Sequence, residues 1–137
     1  MPLRILFLCV ANSARSQLAE GLARRLFGDR AVIQSAGSGP AGVHRQAIAA
    51  LAEIGIDTSS HRSKSVTTID FSTVDLVITL CADEVCPVVP ARIEKLHWPL
   101  EDPTFAPTAK VEARFRETRD DLERRLTALG HARGLIA

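Results

Sequence analysis

Residues 7–20, FLCVANSARSQLAE, decide how the chain folds. They continue an apolar run over residues 3–10, broken only by Arg4, which is typical of a strand buried on both faces of a parallel sheet. Small and polar residues follow the run. Leucines then recur every four residues within 16–27, which predicts a helix that Gly28 ends. The stretch therefore predicts a strand, a short loop and a helix in direct succession.

The rest of the chain alternates strands with helices. Further strands are predicted over residues 31–37, 74–81 and 93–98, and further helices over 44–54 and from Val111 to Gly130. The inward face of the second helix is predicted to be Ile48, Leu51 and Ala52. The apolar stripe of the last helix is Val111, Phe115, Leu122, Leu126 and Leu129. This alternation predicts an α/β fold with a parallel sheet, in which ligands bind at the carboxyl ends of the strands.

The overall composition limits the classes of function. At 137 residues the chain fits one domain, residues 1–137. The net charge of +1 argues against nucleic acid as a partner, and no apolar run approaches the ~20 residues that a membrane span requires. Three cysteines are an odd number, which does not suit a secreted disulfide framework. We therefore expect a cytoplasmic protein whose cysteines are catalytic, redox-active or buried.

Cys9 and Arg15 frame the loop in a Cys-x5-Arg pattern. If the loop curls around an anion, its N–H groups and the amino end of the next helix point at one place, and Arg15 adds a fork suited to a tetrahedral oxyanion. The same positive field favours the thiolate form of Cys9. We predict Cys9 as the nucleophile of an oxyanion site formed by Val10, Ala11, Asn12, Ser13, Ala14, Arg15 and Ser16.

Two residues of this loop have further predicted tasks. Ser16 can donate a hydrogen bond to the thiolate, and Asn12 tolerates unusual backbone angles. The competing interpretation makes Cys9 a buried strand-end cysteine and Arg15 a solvated helix residue. The position of the pattern between a buried strand and a helix argues against that interpretation.

The segment CVANSARSQLAEG, residues 9–21, resembles the phosphate loop of the low-molecular-weight protein tyrosine phosphatase superfamily. Within it the closer likeness is to the arsenate reductases, whose loop is typically Cys-x-Gly-Asn-Ser-Cys-Arg-Ser-Gln. The motifs SAG, GID, DLVITLC, CP, HW and DP follow in the order of that family. Ala11 and Ala14 depart from the usual Gly and Cys. The resemblance implies a three-layer α/β/α sandwich with a four-stranded parallel sheet.

The resemblance also implies a reaction. In such reductases a second cysteine attacks the first after arsenate has bound, and a third resolves that disulfide, so Cys9, Cys81 and Cys86 would act in series. Four residues separate Cys81 from Cys86, where thioredoxin-coupled members commonly have six. Asp102, followed by Pro103, matches the acid that protonates the leaving oxygen, with Glu101 as a rival.

The alternative function is that of a low-molecular-weight protein tyrosine phosphatase hydrolysing phosphomonoesters, which needs only Cys9, Arg15 and Asp102. Phosphatases of this family commonly have Tyr after the Asp-Pro pair. This chain has Thr104 there and contains no tyrosine, which favours a small inorganic oxyanion as substrate. A third interpretation is a non-catalytic oxyanion sensor. Such a protein would need neither a nucleophile nor an acid partner, so the presence of both argues against it.

No metal and no cofactor are expected. Cys81, Cys86 and His97 could ligate zinc, but their spacing fits no standard structural site, and each cysteine could also be an inert thiol. Some relatives bind potassium beside the loop, and Asn12, Glu20 and Ser35 match their ligands. Lys64 stands where those relatives have an acid, which argues against potassium. His97 and Trp98 are attributed to packing, and no role is assigned to His44, His61 and His131.

The expected partners follow from the leading function. Arsenate is the predicted substrate, with phosphate or sulfate as competing oxyanions. Thioredoxin or another thiol reductant, such as glutaredoxin with glutathione, would regenerate the cysteines. We expect no nucleic acid, no membrane and a monomer.

Overall fold

Four parallel strands form one sheet in the order β2–β1–β3–β4. The computed structural model describes residues 2–82 and 86–136. The strands are β1 (Leu3–Cys9), β2 (Ala31–Gly37), β3 (Leu76–Thr79) and β4 (Glu94–His97). The helices are α1 (Arg15–Phe27), α2 (Arg45–Ala52) and α3 (Val111–Ala132). The predicted α/β class with a four-stranded parallel sheet is confirmed.

The register aligns the carboxyl ends of the strands at one edge of the sheet. Cys9 of β1 pairs with Gly37 of β2, and Leu8 pairs with Thr79 of β3. Thr79 in turn pairs with His97 of β4. The segments that leave these strands therefore meet at the same edge, where parallel sheets bind ligands.

The two faces of the sheet are covered differently. Ile5 and Phe7 of β1 belong to the larger core, which α1, α2 and α3 cover. Leu6 and Leu8 point to the opposite face and belong to a smaller core with Val77. The 3₁₀ turns Val66–Thr68 and Phe71–Thr73 provide Val66 and Phe71, which cover this second core. The second outer layer of the sandwich is thus built from short turns and loops.

The third and fourth strands are shorter than the predicted ranges 74–81 and 93–98. Backbone pairing continues beyond them, since the N–H of Leu80 donates to the carbonyl of Leu8 at 2.8 Å and that of Trp98 to the carbonyl of Thr79 at 2.8 Å. The chain stays extended past the end of the ladder because apolar side chains remain buried there. Trp98 packs against the larger core as predicted, whereas His97 is exposed and its Nδ1 lies 2.6 Å from the hydroxyl of Thr79.

The prediction of the inward face of α2 was wrong, because the buried set is displaced by one residue along the chain. Ala47, Ala50 and Leu51 are buried, whereas Ile48 is 42% exposed and Ala52 is exposed. The two sets have the same i, i+3, i+4 spacing, so periodicity alone cannot choose between them. Arg119 of α3 donates to the carbonyl of Ala50 at 2.8 Å, and this close approach is compatible with small side chains on the facing side of α2.

The last helix extends beyond its predicted end. It continues through Gly130 to Ala132, and Gly134 follows with a φ of 69°. Gly130 is closely packed, because a Cβ there would lie 2.5 Å from Cδ1 of Ile136 and 2.8 Å from Cε1 of Phe27. Within the described residues, no helix is long and apolar enough to cross a bilayer.

Candidate active site

The loop between β1 and α1 turns its carbonyl groups outward. The carbonyl of Val10 accepts from the N–H of Gly39 at 2.9 Å, and that of Ala11 accepts from the N–H of Ala41 at 3.0 Å. The carbonyl of Ser13 accepts from the N–H of His44 at 3.0 Å. The loop over residues 38–44 therefore holds the oxyanion loop from outside.

The amide groups of the same loop face its centre. Within a trans peptide the N–H points away from the C=O, so outward carbonyls imply inward N–H groups. The carbonyl of Asn12 is also taken, since it accepts from Nε2 of Gln17 at 3.1 Å. The four N–H groups that follow these carbonyls therefore point into the loop, which is the orientation that an anion-binding nest requires. They belong to Ala11, Asn12, Ser13 and Ala14.

Asn12 has the special backbone conformation of the loop. Its φ is 46°, the left-handed region, and among the described residues it is the only one besides glycines with a positive φ. Asparagine tolerates this region better than most residues. Ala11 is not in that region, so alanine fits the position where the resembling reductases have glycine.

Cys9 lies at the base of the loop with its sulfur directed at Ser16. The sulfur is 2.9 Å from the hydroxyl oxygen of Ser16, and Cys9 is only 1% exposed. Nδ2 of Asn12 donates to the same hydroxyl oxygen at 2.8 Å. Because that oxygen accepts from Asn12, its own proton is available for the sulfur. The arrangement directs a hydroxyl hydrogen-bond donor at the sulfur.

Arg15 is held by the ends of two other chain segments. Its Nη1 donates to the carbonyl of Leu100 at 3.0 Å and to that of Leu80 at 3.4 Å. Its Nη2 is 3.6 Å from Oδ2 of Asp102. A buried guanidinium beside the loop supplies the positive charge that an oxyanion needs.

Asp102 has one oxygen fixed and one directed toward Arg15. Oδ1 accepts from the N–H of Thr104 at 2.9 Å and from its hydroxyl at 2.7 Å. Oδ2 is the oxygen that faces Arg15. Glu101, the rival carboxylate, has a side chain that is 88% exposed and lies 3.7 Å from Arg114. Of the two carboxylates, Asp102 is therefore the one that lies beside Arg15 and lines the cleft above the loop.

A cleft of about 480 Å³ opens above the loop. Its polar lining includes Cys9, Ser13, Arg15 and Asp102 among the predicted site residues, and Val10, Ala11 and Ala14 also line it. Asn12 and Ser16 lie behind this surface and are buried. Phe105, which the sequence did not single out, is 82% exposed at the wall.

Cys81 and Cys86 form a disulfide with a Cα–Cα distance of 5.7 Å, and Cys9 is the free cysteine. Cys81 is buried, whereas Cys86 is partly exposed. This pairing removes both thiolates from the zinc set that His97 would have completed. Among residues 2–82 and 86–136, no group of three or more side chains is arranged to hold a metal ion.

Comparison with known proteins places the chain in a family. A sequence profile described as "Low molecular weight phosphotyrosine protein phosphatase" matches residues 4–133. The chain belongs to this family.

Relatives in this low-molecular-weight phosphatase family carry a more specific name. An arsenate reductase from Halalkalibacterium halodurans is 41% identical over 126 residues, covering 89% of this chain and 91% of the relative. A solved structure described as "An arsenate reductase in the phosphate binding state" superposes with a TM-score of 0.78 at 33% identity, covering 93% of this chain and 95% of that one. A thioredoxin-dependent arsenate reductase from Corynebacterium glutamicum gives a TM-score of 0.76 at 30% identity, covering 96% of this chain and 62% of that one.

The three residues that match potassium ligands of some relatives hydrogen-bond to one another and to other groups of the chain. Asn12, Ser35 and Glu20 do converge, with Nδ2 of Asn12 donating to Ser35 at 2.9 Å and the hydroxyl of Ser35 donating to Glu20 at 2.5 Å. However, Oδ1 of Asn12 accepts from the N–H of Lys64 at 2.8 Å. Oε2 of Glu20 lies 3.1 Å from the guanidinium of Arg24. The oxygens that a cation would require already have donors.

A buried histidine beside this cluster was missed by the sequence reasoning. Nδ1 of His61 is 3.0 Å from Oε1 of Gln17, and Nε2 is 3.8 Å from Glu20. Gln17 also donates to the carbonyl of Arg62 at 3.0 Å. Burial lowers the pKa of His61 below its ordinary value, although the negative charge of Glu20 opposes that shift. No local pattern predicts this contact, because 44 residues separate His61 from Gln17.

His44 was also assigned no role by the sequence, yet it supports the loop. Its Nδ1 accepts from the N–H of Gln46 at 3.0 Å and so caps α2. Its ring stacks on Phe115 with centroids 5.0 Å apart. Because the N–H of His44 holds the carbonyl of Ser13, these contacts connect α2 and α3 to the oxyanion loop. Its position at the predicted start of the second helix was the available signal.

Proposed function

We propose that the protein is an arsenate reductase that transfers two electrons from a pair of cysteines to arsenate bound above Cys9. The observation that carries this function is the Cys81–Cys86 disulfide together with a free Cys9 in the same chain. That combination is the state that a completed three-cysteine relay leaves behind. The family relatives named arsenate reductase support the same assignment.

The first step forms a bond between sulfur and arsenic. Arsenate occupies the nest of loop N–H groups, where Arg15 stabilises its negative charge. The thiolate of Cys9 attacks arsenic, and one arsenic–oxygen bond breaks. The departing hydroxyl takes a proton from Oδ2 of Asp102 and leaves as water. Phosphate has the same shape and charge and competes for the site.

The second step moves the electrons. The thiolate of Cys81 attacks the sulfur of Cys9, so that a sulfur–sulfur bond forms and the sulfur–arsenic bond breaks. The electron pair of that bond leaves with arsenic, which is released as arsenite. Arsenic is reduced from the +5 to the +3 state, and the two thiols are oxidised to one disulfide.

The third step regenerates Cys9. The thiolate of Cys86 attacks the sulfur of Cys81 and displaces Cys9 as a thiolate, which leaves the Cys81–Cys86 disulfide. A dithiol reductant then reduces that disulfide and is itself oxidised. Thioredoxin is the proposed reductant, and the thioredoxin dependence of the Corynebacterium relative supports it.

Replacing Cys81 distinguishes this three-step reduction of arsenate from the hydrolysis of phosphate esters. Water, not a second thiol, completes hydrolysis, so Cys81→Ser should abolish thioredoxin-coupled arsenate turnover and retain hydrolysis of p-nitrophenyl phosphate within about twofold. Cys86→Ser serves as the matched variant. It should release about one arsenite per protein and accumulate a Cys9–Cys81 disulfide, detected by mass spectrometry without reductant.

Two outcomes would contradict the proposed function. Arsenate turnover by Cys81→Ser at the rate of the unchanged protein would eliminate the relay. A reduced protein that forms no disulfide after arsenate treatment would make hydrolysis of phosphomonoesters the better account.

A further inference from the structure

Thr104 makes two contacts with a single oxygen of Asp102. Its N–H donates to Oδ1 at 2.9 Å, and its hydroxyl donates to the same oxygen at 2.7 Å. Two donors occupy both lone-pair positions of a carboxylate oxygen. Oδ1 therefore has no place for a further proton, and the proton of a neutral Asp102 belongs on Oδ2.

Oδ2 is the oxygen of Asp102 on the side where the reaction takes place. It lies 3.6 Å from Nη2 of Arg15, and the side chain of Asp102 is 16% exposed at the cleft that Cys9 also lines. A general acid must present its proton within reach of the departing oxygen. The contacts that Thr104 makes thus select the oxygen that can perform this task.

The turn that carries Thr104 is closed without its side chain. Pro103 begins a 3₁₀ turn, and its ring fixes the backbone φ there. The N–H of Phe105 donates to the carbonyl of Asp102 at 3.1 Å, and that of Ala106 donates to the carbonyl of Pro103 at 3.3 Å. Removing the hydroxyl of Thr104 therefore leaves the backbone of the turn in place and releases one of the two bonds to Oδ1.

We propose that Thr104 is a positioning residue for the acid: its hydroxyl holds Oδ1 of Asp102, keeps the proton on Oδ2 and directs that oxygen at the departing group. Thr104 stands where the resembling phosphatases commonly have Tyr, whose hydroxyl lies beyond a ring and cannot close this short contact. The inference deepens the proposed function, because it rests on Asp102 as the acid of that reaction.

The leaving-group dependence of ester hydrolysis measures this task directly. Phenolate is a strong base and needs a proton as it departs, whereas p-nitrophenolate is stable as an anion. The value of kcat/KM for each ester reports on the steps through release of the phenol. Hydrolysis requires neither Cys81 nor Cys86, so a failure of the cysteine relay would leave this readout intact.

Thr104→Val removes the hydroxyl and keeps the branched shape of the side chain. We expect kcat/KM for phenyl phosphate to fall about tenfold and that for p-nitrophenyl phosphate to change by less than about twofold. The inhibition constant of inorganic phosphate should stay within about twofold, because Arg15 and the loop N–H groups bind the oxyanion. Thr104→Ser, which retains the hydroxyl, should restore the value for phenyl phosphate. Equal losses for the two esters, or no loss for either, would overturn the proposal.

Asp102→Asn separates a failure of this proposal from a failure of the acid itself. It should lower kcat/KM for phenyl phosphate about 100-fold, and Thr104→Val should cause no further change in that background. If Asp102→Asn is impaired in this way but Thr104→Val is not, Thr104 does not position the acid. If neither substitution changes the ratio between the two esters, Asp102 is not the acid, and its role in the proposed function fails as well.

Two further variants complete the test. Thr104→Ala removes the same hydroxyl with less bulk and should reproduce the result if Thr104→Val does not fold. Thr108→Val is the matched control, since Thr108 is an exposed threonine four residues further along the same segment. It should leave kcat/KM for both esters unchanged. A selective loss for phenyl phosphate in this control would show that the effect does not belong to the hydroxyl of Thr104 and would contradict the proposal.

Discussion

Gly37 lies so close to Val10 that a Cβ atom at position 37 would stand 2.3 Å from the carbonyl oxygen of Val10. The same atom would lie 2.8 Å from the carbonyl oxygen of Cys9 and 2.9 Å from the backbone nitrogen of Asn12. All three neighbours are backbone atoms of the oxyanion loop or its supporting strand, so none can move aside without deforming the site.

Gly37→Ala should therefore displace the loop. We expect arsenate turnover to fall about 100-fold, the cost of misplacing reacting groups by about 1 Å, and stability to fall by about 1–3 kcal/mol. Gly39→Ala is the matched control, because a Cβ there would meet no atom within 4 Å. Equal rates of arsenate turnover for Gly37→Ala and Gly39→Ala would contradict the close approach of Gly37 to the loop backbone.

Arg15→Lys should weaken oxyanion binding although it keeps the charge. The planar guanidinium of Arg15 can donate to the carbonyl groups of Leu80 and Leu100 and still direct N–H groups at an oxyanion. An ammonium is a compact point charge and cannot make both sets of contacts. We expect a loss of about 100-fold in kcat/KM for arsenate, typical of removing a donor to an oxyanion. Arg124→Lys, on the exposed side of α3, should have no effect. Retained phosphate binding in calorimetry would mean that Arg15 is dispensable.

His61 should make the protein less stable in mild acid. Its folded-state pKa is lowered, chiefly by burial, so the unfolded chain takes up the proton more readily. The stability that neutral His61 contributes is therefore complete above its ordinary pKa of 6.5 and is lost as the pH falls below that value. Denaturant unfolding between pH 8 and 5 should show a shallower decline for His61→Gln. His131→Gln, at an exposed histidine, should retain the decline of the unchanged protein.

Glu53 should contribute stability over a more acidic range. Hydrogen bonds from Arg116, and then from Arg119, lower its pKa from 4.5 to about 2. A depressed pKa stabilises the folded state above pH 4.5, and that contribution is lost as the pH falls toward about 2. Glu53→Gln should therefore be less stable than the unchanged protein at pH 7, with a difference that shrinks below pH 4.5. A difference that stays constant down to pH 2 would contradict the ion pairs.

Local sequence was sufficient for the part of the site that one segment builds. Cys9 and Arg15 lie on a strand, a loop and a helix in succession, so their proximity follows from chain connectivity. Asp102 was named from its match to the Asp-Pro loop of the resembling family, supported by its position after the fourth strand. The pairing of Cys81 with Cys86 was implied by the resemblance to the arsenate reductases, although four intervening residues depart from their usual six.

Contacts between distant segments could not be predicted. The carbonyl of Leu100 that fixes Arg15 lies 85 residues away in sequence, and no pattern encodes that pair. The prediction of the inward face of α2 was wrong for a related reason. The sets that begin at Ile48 and at Ala47 have the same spacing, and the choice between them depends on how closely α3 approaches. The partners of Glu20 likewise emerge only when α1, β2 and the loop over residues 57–64 pack together.

The two faces of the sheet are covered unequally. Three helices seal one face, but two 3₁₀ turns and a few loop side chains seal the other. Val89, three residues after Cys86, belongs to that thinner side. Local opening of the thinner side costs less free energy than unfolding of the helical side, because fewer apolar side chains lose their contacts. In the proposed relay, we therefore expect the segment that carries Cys86 to rearrange more readily than the helix-covered oxyanion loop.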